Sequence, residues 1–155
     1  MILAAIFLGA LQAAPDFEGV AWADGAPALK GKVVIVRWWT SGCSLCETSA
    51  PVLKKLSEKA PVVAIFHPKP PRDVAPAAAQ DAAKAIGMPG AVGVDRDWKV
   101  LACWKAGKAY TFTSLTFLVD RKGAVRYVHP GGAITAEEGV ELGRRIDLLL
   151  AEEEK

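Results

Sequence analysis

Cys43 and Cys46 stand two residues apart, with Ser44 and Leu45 between them. A C-x-x-C pair either passes electrons as a dithiol–disulfide couple or supplies half of a tetrahedral metal site. A structural zinc site needs four ligands, and the chain has no second C-x-x-C, so redox chemistry is the stronger reading. Reactivity then depends on where the thiolate sits, because thiolate is the nucleophile in disulfide exchange. The pair follows Lys32 to Trp39 (KVVIVRWW), a continuous β-branched and aromatic run, and the break Thr40-Ser41-Gly42. Cys43 therefore opens a helix directly after a strand, among unsatisfied N–H groups at the positive end of the dipole. That placement favours thiolate on Cys43. We expect Cys43 to attack and Cys46, one turn later and shielded, to resolve the mixed disulfide.

The elements that hold the pair are legible from periodicity. Lys32 to Trp39 reads as a strand buried on both faces. Cys46 to Ala60 reads as a helix with Val52, Leu53 and Leu56 on its apolar stripe, and Pro51 predicts a kink. Val62 to Phe66 is a second buried strand, followed by the rigid loop His67-Pro68-Lys69-Pro70-Pro71. Ala75 to Ile86 is an Ala-rich helix stopped by Gly87. Val92 to Val94 reads as a short strand and Asp95 to Trp104 as a short helix. Leu115 to Val119 and Ala124 to Val128 form a hairpin across Asp120 to Gly123. Thr135 caps a last helix to Glu152, with Glu138 completing a capping box. Upstream, Asp24-Gly25 is a hairpin-type turn signal. This order predicts an α/β sandwich in which two parallel strands are extended by antiparallel ones, with helices on both faces.

Composition narrows the class. The 155 residues are 52% hydrophobic and 23% charged, enough to bury a core and too apolar for a disordered chain. Lys plus Arg (19) nearly balances Asp plus Glu (17), and no basic run is present, which argues against nucleic acid as a partner. Three cysteines are too few for a disulfide framework. Residues 1–14 (MILAAIFLGALQAA) carry no charge and are too short to span a bilayer. They read as an export signal or truncated membrane anchor, or else as an ordered strand or helix on the domain. The domain itself is expected over 15–155.

The strand–WTSGCSLCE–helix unit, APDFEGVAW, GKVVIVRWW and the hairpin SLTFLVDRKGAVRYVH together resemble the TlpA/ResA-like thiol–disulfide redoxins of bacterial envelopes, from about Pro15 to Leu150. The resemblance implies a thioredoxin-like three-layer sandwich with a central mixed sheet. It also implies a monomeric thiol–disulfide oxidoreductase that reduces partner-protein disulfides, as in cytochrome c maturation. It places the protein outside the cytoplasm, served by a membrane or soluble electron donor and free of any cofactor or resident metal.

Three positions depart from the family pattern. Gly42 stands where the family has Trp, and Ser114 where it has a cis-proline. A cis bond before serine costs about 3 kcal/mol, so we expect a trans bond and an altered substrate groove at Ser114 and Leu115. Arg37 stands where thioredoxins carry a buried acid. It either lowers a thiolate pKa or points away to pair with an acid on a helix.

His67 and His129 each end a strand at the edge that carries the cysteines, where either could exchange protons or stabilise a thiolate. Gly131-Gly132 beside His129 would admit a partner's backbone. Trp38 and Trp39 must face opposite sides, with Trp39 near the cysteines. Cys103 reads as a core residue. Two alternatives remain. Thr40, three residues before Cys43, suits a peroxiredoxin-like peroxidase, and the two thiols with a histidine suit Cu(I) or another soft metal.

Overall fold

A computed structural model describes residues 12–152. The chain runs β1 (Ala21–Trp22), β2 (Val34–Trp39), α1 (Ser44–Leu56), β3 (Val62–Phe66), α2 (Pro76–Ile86), β4 (Ala91–Val94), α3 (Lys99–Lys105), β5 (Thr116–Val119), β6 (Val125–His129) and α4 (Ala136–Ala151). The six strands form one sheet in the order β1-β4-β3-β2-β5-β6. β2, β3 and β4 are parallel, while β1, β5 and β6 run antiparallel to their neighbours. The parallel set thus has three strands rather than the two expected, because the short run at β4 joins β3. Asp24-Gly25 closes no hairpin: β1 pairs with β4, far along the chain.

Side-chain alternation along β2 divides the core. Ile35 and Trp39 pack with α1, α2 and α4 on one face, whereas Val34, Val36 and Trp38 pack with Val100, Leu101 and Trp104 of α3 on the other. The result is the α/β three-layer sandwich, with a central mixed sheet. α1 runs unbroken through Pro51, and α4 starts with both halves of the Thr135/Glu138 capping box.

Two details differ from expectation. α3 begins at Lys99 rather than Asp95, because Trp98 adopts φ +63 and the Asp95 carboxylate accepts the N–H groups of Val100 and Leu101 at 3.3 and 2.8 Å. Cys103 is exposed, not in the core. Val100, Leu101 and Trp104 form the buried stripe of α3, and Cys103 lies off it.

Most of the apolar 1–14 run lies outside the described residues. Of it, Gln12 to Ala14 pair with the chain around β6: Ala14 N–H donates to Gly123 O at 2.8 Å and Val125 N–H to Gln12 O at 2.9 Å. No described helix is long and apolar enough to cross a membrane.

Gly90, between α2 and β4, holds the parallel pairing. Its φ is +96°, and a Cβ there would sit 2.0 Å from the Val62 carbonyl oxygen. We expect Gly90→Ala to lower unfolding free energy by about 2–4 kcal/mol through backbone strain and overpacking, as measured by urea denaturation.

Candidate active site

The chain leaves β2, turns through Gly42 at φ +66° and enters α1 with Cys43 as its N-cap. Gly42 supplies a left-handed turn that side-chain-bearing residues rarely adopt, and no atom stands within 4 Å of where its side chain would begin. Space beside Cys43 is thus open where the family's Trp would stand. Cys43 Sγ accepts the Cys46 N–H at 3.3 Å. Cys43 is partly exposed and Cys46 wholly buried, both as free thiols, with their sulfurs 2.8 Å apart. A partner can reach only the first.

Arg37 lies on the same face of β2 as Trp39, directed at α1. It is fully buried. Its Nη1 donates to Thr116 Oγ1 at 3.1 Å, its Nη2 to Ser49 Oγ at 3.4 Å and to the Gly132 carbonyl, and Nη2 lies 3.9 Å from Cys46 Sγ. Among the described residues its Nε has no hydrogen-bond partner. Among the described residues no carboxylate pairs with it, so of the two readings of Arg37 the structure has the one in which it faces the cysteines. Arginine does not deprotonate in proteins, so a full positive charge stands in the interior one strand-width from the dithiol.

This changes where the negative charge belongs. Burial opposes ionisation of Cys46, but hydrogen bonds from Cys43, Ser114 and the Thr40 backbone, with the charge of Arg37, hold its thiol below the ordinary value. Burial and the hydrogen bond to Cys46 push Cys43 up, and the Cys46 backbone N–H does not offset them. Burial lowers Arg37 while the nearby thiols raise it. The helix-dipole expectation put thiolate on Cys43; the groups that stabilise an anion surround Cys46 instead.

Residues 12–141 match the Redoxin family. The chain belongs to that family. Similar solved structures include a thiol:disulfide interchange protein of the thioredoxin family from Chlorobium tepidum TLS, with 20% identity, 91% of this chain and 97% of that one covered, and TM-score 0.69. A thiol-disulfide isomerase from Corynebacterium glutamicum is 24% identical over 90% of this chain and 98% of its own, with TM-score 0.67. A secreted Mycobacterium tuberculosis disulfide oxidoreductase homologous to E. coli DsbE is 19% identical over 84% and 94%, with TM-score 0.63. No curated protein matches the chain. The fold is thioredoxin-like, and with its C-x-x-C dithiol this redoxin is a thiol–disulfide oxidoreductase.

In this redoxin the remaining sequence candidates fall into place as follows. Ser114 is buried, its Oγ 3.3 Å from Cys46 Sγ, and the peptide bond before it is trans. Where a proline would offer no donor, the serine offers a hydroxyl. Leu115 packs in the α3-side core, and its carbonyl accepts the Trp38 N–H at 2.9 Å. Trp39 packs in the cluster that holds Cys46 and Cys43, while Trp38 packs with Trp104 and Phe117 opposite.

His129 is engaged locally, with Nδ1 3.0 Å from Gly131 O and Nε2 3.3 Å from Glu138. It ties the 130–132 loop to α4. His67, at the end of β3, is fully buried with its ring edge-on to Trp98 at 5.3 Å, and neither ring nitrogen has a hydrogen bond of ordinary geometry. Thr40 is buried, and no hydrogen bond joins its hydroxyl to Cys43. Among the described residues no three His, Cys, Asp or Glu side chains converge, so the soft-metal alternative finds two thiols and no third ligand. A cavity of about 490 Å³ lined by Phe17, Leu29, Val34 and Val119 lies at the other end of the sheet from the dithiol.

Sequence reading missed Ser49 and Thr116. Ser49 lies one turn after Cys46; its hydroxyl accepts the Ile134 N–H at 2.8 Å and donates to Leu45 O at 2.7 Å. Thr116 is the register partner of Arg37. Helical spacing from Cys46 would have flagged the first, and strand register the second.

Two predictions follow from these contacts. Ser49→Ala leaves the Ile134 N–H without its acceptor and should cost about 1–3 kcal/mol, with faster proteolysis of the 130–134 loop. Burial, then the charges of Lys69 and Arg37, lower His67 to about 4. The unfolded chain therefore takes up a proton near pH 6.5 that the folded chain refuses until about pH 4, so stability falls across that window as pH drops. His67→Phe should remove roughly 2–4 kcal/mol of that acid-dependent loss, measured by urea unfolding at neutral and mildly acidic pH.

Proposed function

We propose that this protein exchanges disulfides with partner proteins, with Cys43 as the sulfur that bonds to the partner and Cys46 as the resolving sulfur. The observation that carries the reading is the asymmetry of the pair: a reachable Cys43 sulfur lies 2.8 Å from a wholly buried Cys46 sulfur. A mixed disulfide can form only on the first, and the second is already within reach to displace the partner.

The surroundings favour a polypeptide as substrate. Leu45 and Phe112 are 36% and 39% exposed, and both lie against Gly132, where a Cβ would meet Leu45 Cδ1 at 2.8 Å and Phe112 Cδ1 at 3.2 Å. Apolar side chains with a bare backbone between them form a surface on which an unfolded or extended chain can lie. Gly132 fits the sequence expectation that Gly131-Gly132 admits a partner's backbone, whereas Phe112 has no counterpart among the residues assigned to the groove from the sequence.

The resemblance implies the reducing sense of exchange. That sense depends on which form of the couple the site stabilises, and on the potential of the donor that serves it. Residues 15–155 are the catalytic domain in this reading, acting as a monomer outside the cytoplasm. The apolar run before it serves as export signal or anchor. The secreted Mycobacterium tuberculosis neighbour is consistent with that compartment.

Cys46→Ser should accumulate a covalent complex with a disulfide-bearing protein such as insulin, visible on non-reducing gels and reversed by dithiothreitol. Cys43→Ser should form none and lose at least about 100-fold in exchange rate, about 2.7 kcal/mol of barrier. Cys103→Ser, on the α3 face of the sheet, should retain full activity. A complex that forms through Cys103 or Cys46 in place of Cys43 would overturn the assignment.

A further inference from the structure

Resting on disulfide exchange through Cys43 and Cys46, we propose that Arg37 is the fixed counter-charge of a Cys46 thiolate, so that the reduced protein carries a negative charge on its interior cysteine and the couple is poised to take electrons from partner dithiols, the opposite sense to the one the resemblance implies.

The argument begins with what surrounds the guanidinium. Thr116 Oγ1, Ser49 Oγ and the Gly132 carbonyl are all neutral acceptors. Among the described residues, the one contact able to become an anion is Cys46 Sγ, 3.9 Å from Nη2. A charge fully removed from water needs a partner of opposite sign. In the dithiol state Cys46 can supply one; in the disulfide state it cannot, because neither sulfur ionises. Arg37 therefore stabilises the reduced form relative to the oxidised form. Ser114 Oγ, 3.3 Å from the same sulfur, accepts the Cys46 S–H, and its rotatable hydroxyl can donate to that sulfur once it is an anion.

The other titratable groups near the site do not take this role. Cys43 faces Cys46 from the start of α1 with the two sulfurs 2.8 Å apart, and as the thiol pushed up it keeps its proton. His67, at the end of β3, is held neutral by burial and by Lys69 and Arg37. His129 and Glu138 pair with each other beyond Thr116.

The exchange balances as follows. A partner thiolate attacks Cys43 Sγ, the Cys43–Cys46 bond breaks, and Cys46 leaves as thiolate beside Arg37. The partner's second thiol, on losing its proton, attacks its own sulfur in the mixed disulfide, and Cys43 leaves and takes up a proton. The partner dithiol is oxidised by two electrons and the protein disulfide is reduced by two. Of the two thiol protons, one resides on Cys43 and one goes to solvent. A leaving thiol with a low pKa leaves faster, so the arrangement speeds the first step as well as favouring its outcome.

The test equilibrates the full-length protein with glutathione redox buffers, in a Cys103→Ser background, for Arg37, Arg37→Lys and Arg37→Met. The expected result is that Arg37→Met raises the glutathione needed for half-reduction to match an equilibrium constant at least tenfold more in favour of the disulfide, about 30 mV. Arg37→Lys should recover most of that change. A structural role alone would not alter proton uptake, so the second readout is the number of protons bound per disulfide reduced near neutral pH. One is expected for the unsubstituted protein and two for Arg37→Met.

An unchanged equilibrium constant in a folded Arg37→Met, or uptake of two protons by the unsubstituted protein, overturns the proposal. If Arg37→Met does not fold, the proton count of the unsubstituted protein decides. Failure of Cys46→Ser to trap a partner protein, with the proton count still at one, overturns the exchange reading while the Arg37–Cys46 pairing stands.

Discussion

A positive charge that cannot be discharged sits at the centre of this molecule, between the sheet and the helix that carries the cysteines. Arg37 is wholly enclosed, and removing a lone ion from water costs several kcal/mol even after relaxation. Its retention requires either a carboxylate or another anion within reach. No carboxylate among the described residues fills that need, and the nearest ionisable atom is Cys46 Sγ at 3.9 Å. Opposite charges about 4 Å apart attract by about 4 kcal/mol at an effective dielectric near 20, enough to matter against the burial that opposes a thiolate there.

The architecture around the site serves that charge. The register of β2 with β5 sets Thr116 opposite Arg37, and the α1 turn after Cys46 brings Ser49 to the same guanidinium. The 131–134 loop is drawn in by the Gly132 carbonyl and by the Ile134 N–H on Ser49. It therefore lies against Leu45 and Phe112 at the mouth of the site. One buried cation thus links strand, helix, loop and candidate partner surface. Where a thioredoxin-like enzyme would have an acid to move a proton, this chain has a cation that holds an anion.

Much of the fold was legible from local pattern. The β-branched run into C-x-x-C, the hairpin around Asp120 to Gly123 and the Thr135/Glu138 box each specify an element through their own chemistry. The strand at Val92 to Val94 was legible but its parallel place beside β3 was not, because Ala91–Val94 is short and glycine-bearing and its partner is set by tertiary pairing. Asp24-Gly25 carries a hairpin signal with no adjacent strand to pair, since β1 reaches β4 instead. Cys103 was misplaced because an apolar neighbourhood was weighed over helical phase: Val100, Leu101 and Trp104 fill the buried stripe.

At the site, spacing found both cysteines and the parity of Trp39, but the helix start alone put the charge on Cys43 rather than Cys46. Which sulfur bears it depends on Arg37, Ser114 and Cys43 converging on Cys46 from three separate elements, which no local pattern encodes. The most direct measurement is therefore a site-resolved titration of the reduced protein with 13C-labelled cysteine, following the Cβ shifts of Cys43 and Cys46 with pH. The account predicts that Cys46 ionises first and that Cys43 keeps its proton to higher pH. Ionisation of Cys43 first, with Cys46 still protonated, would contradict it.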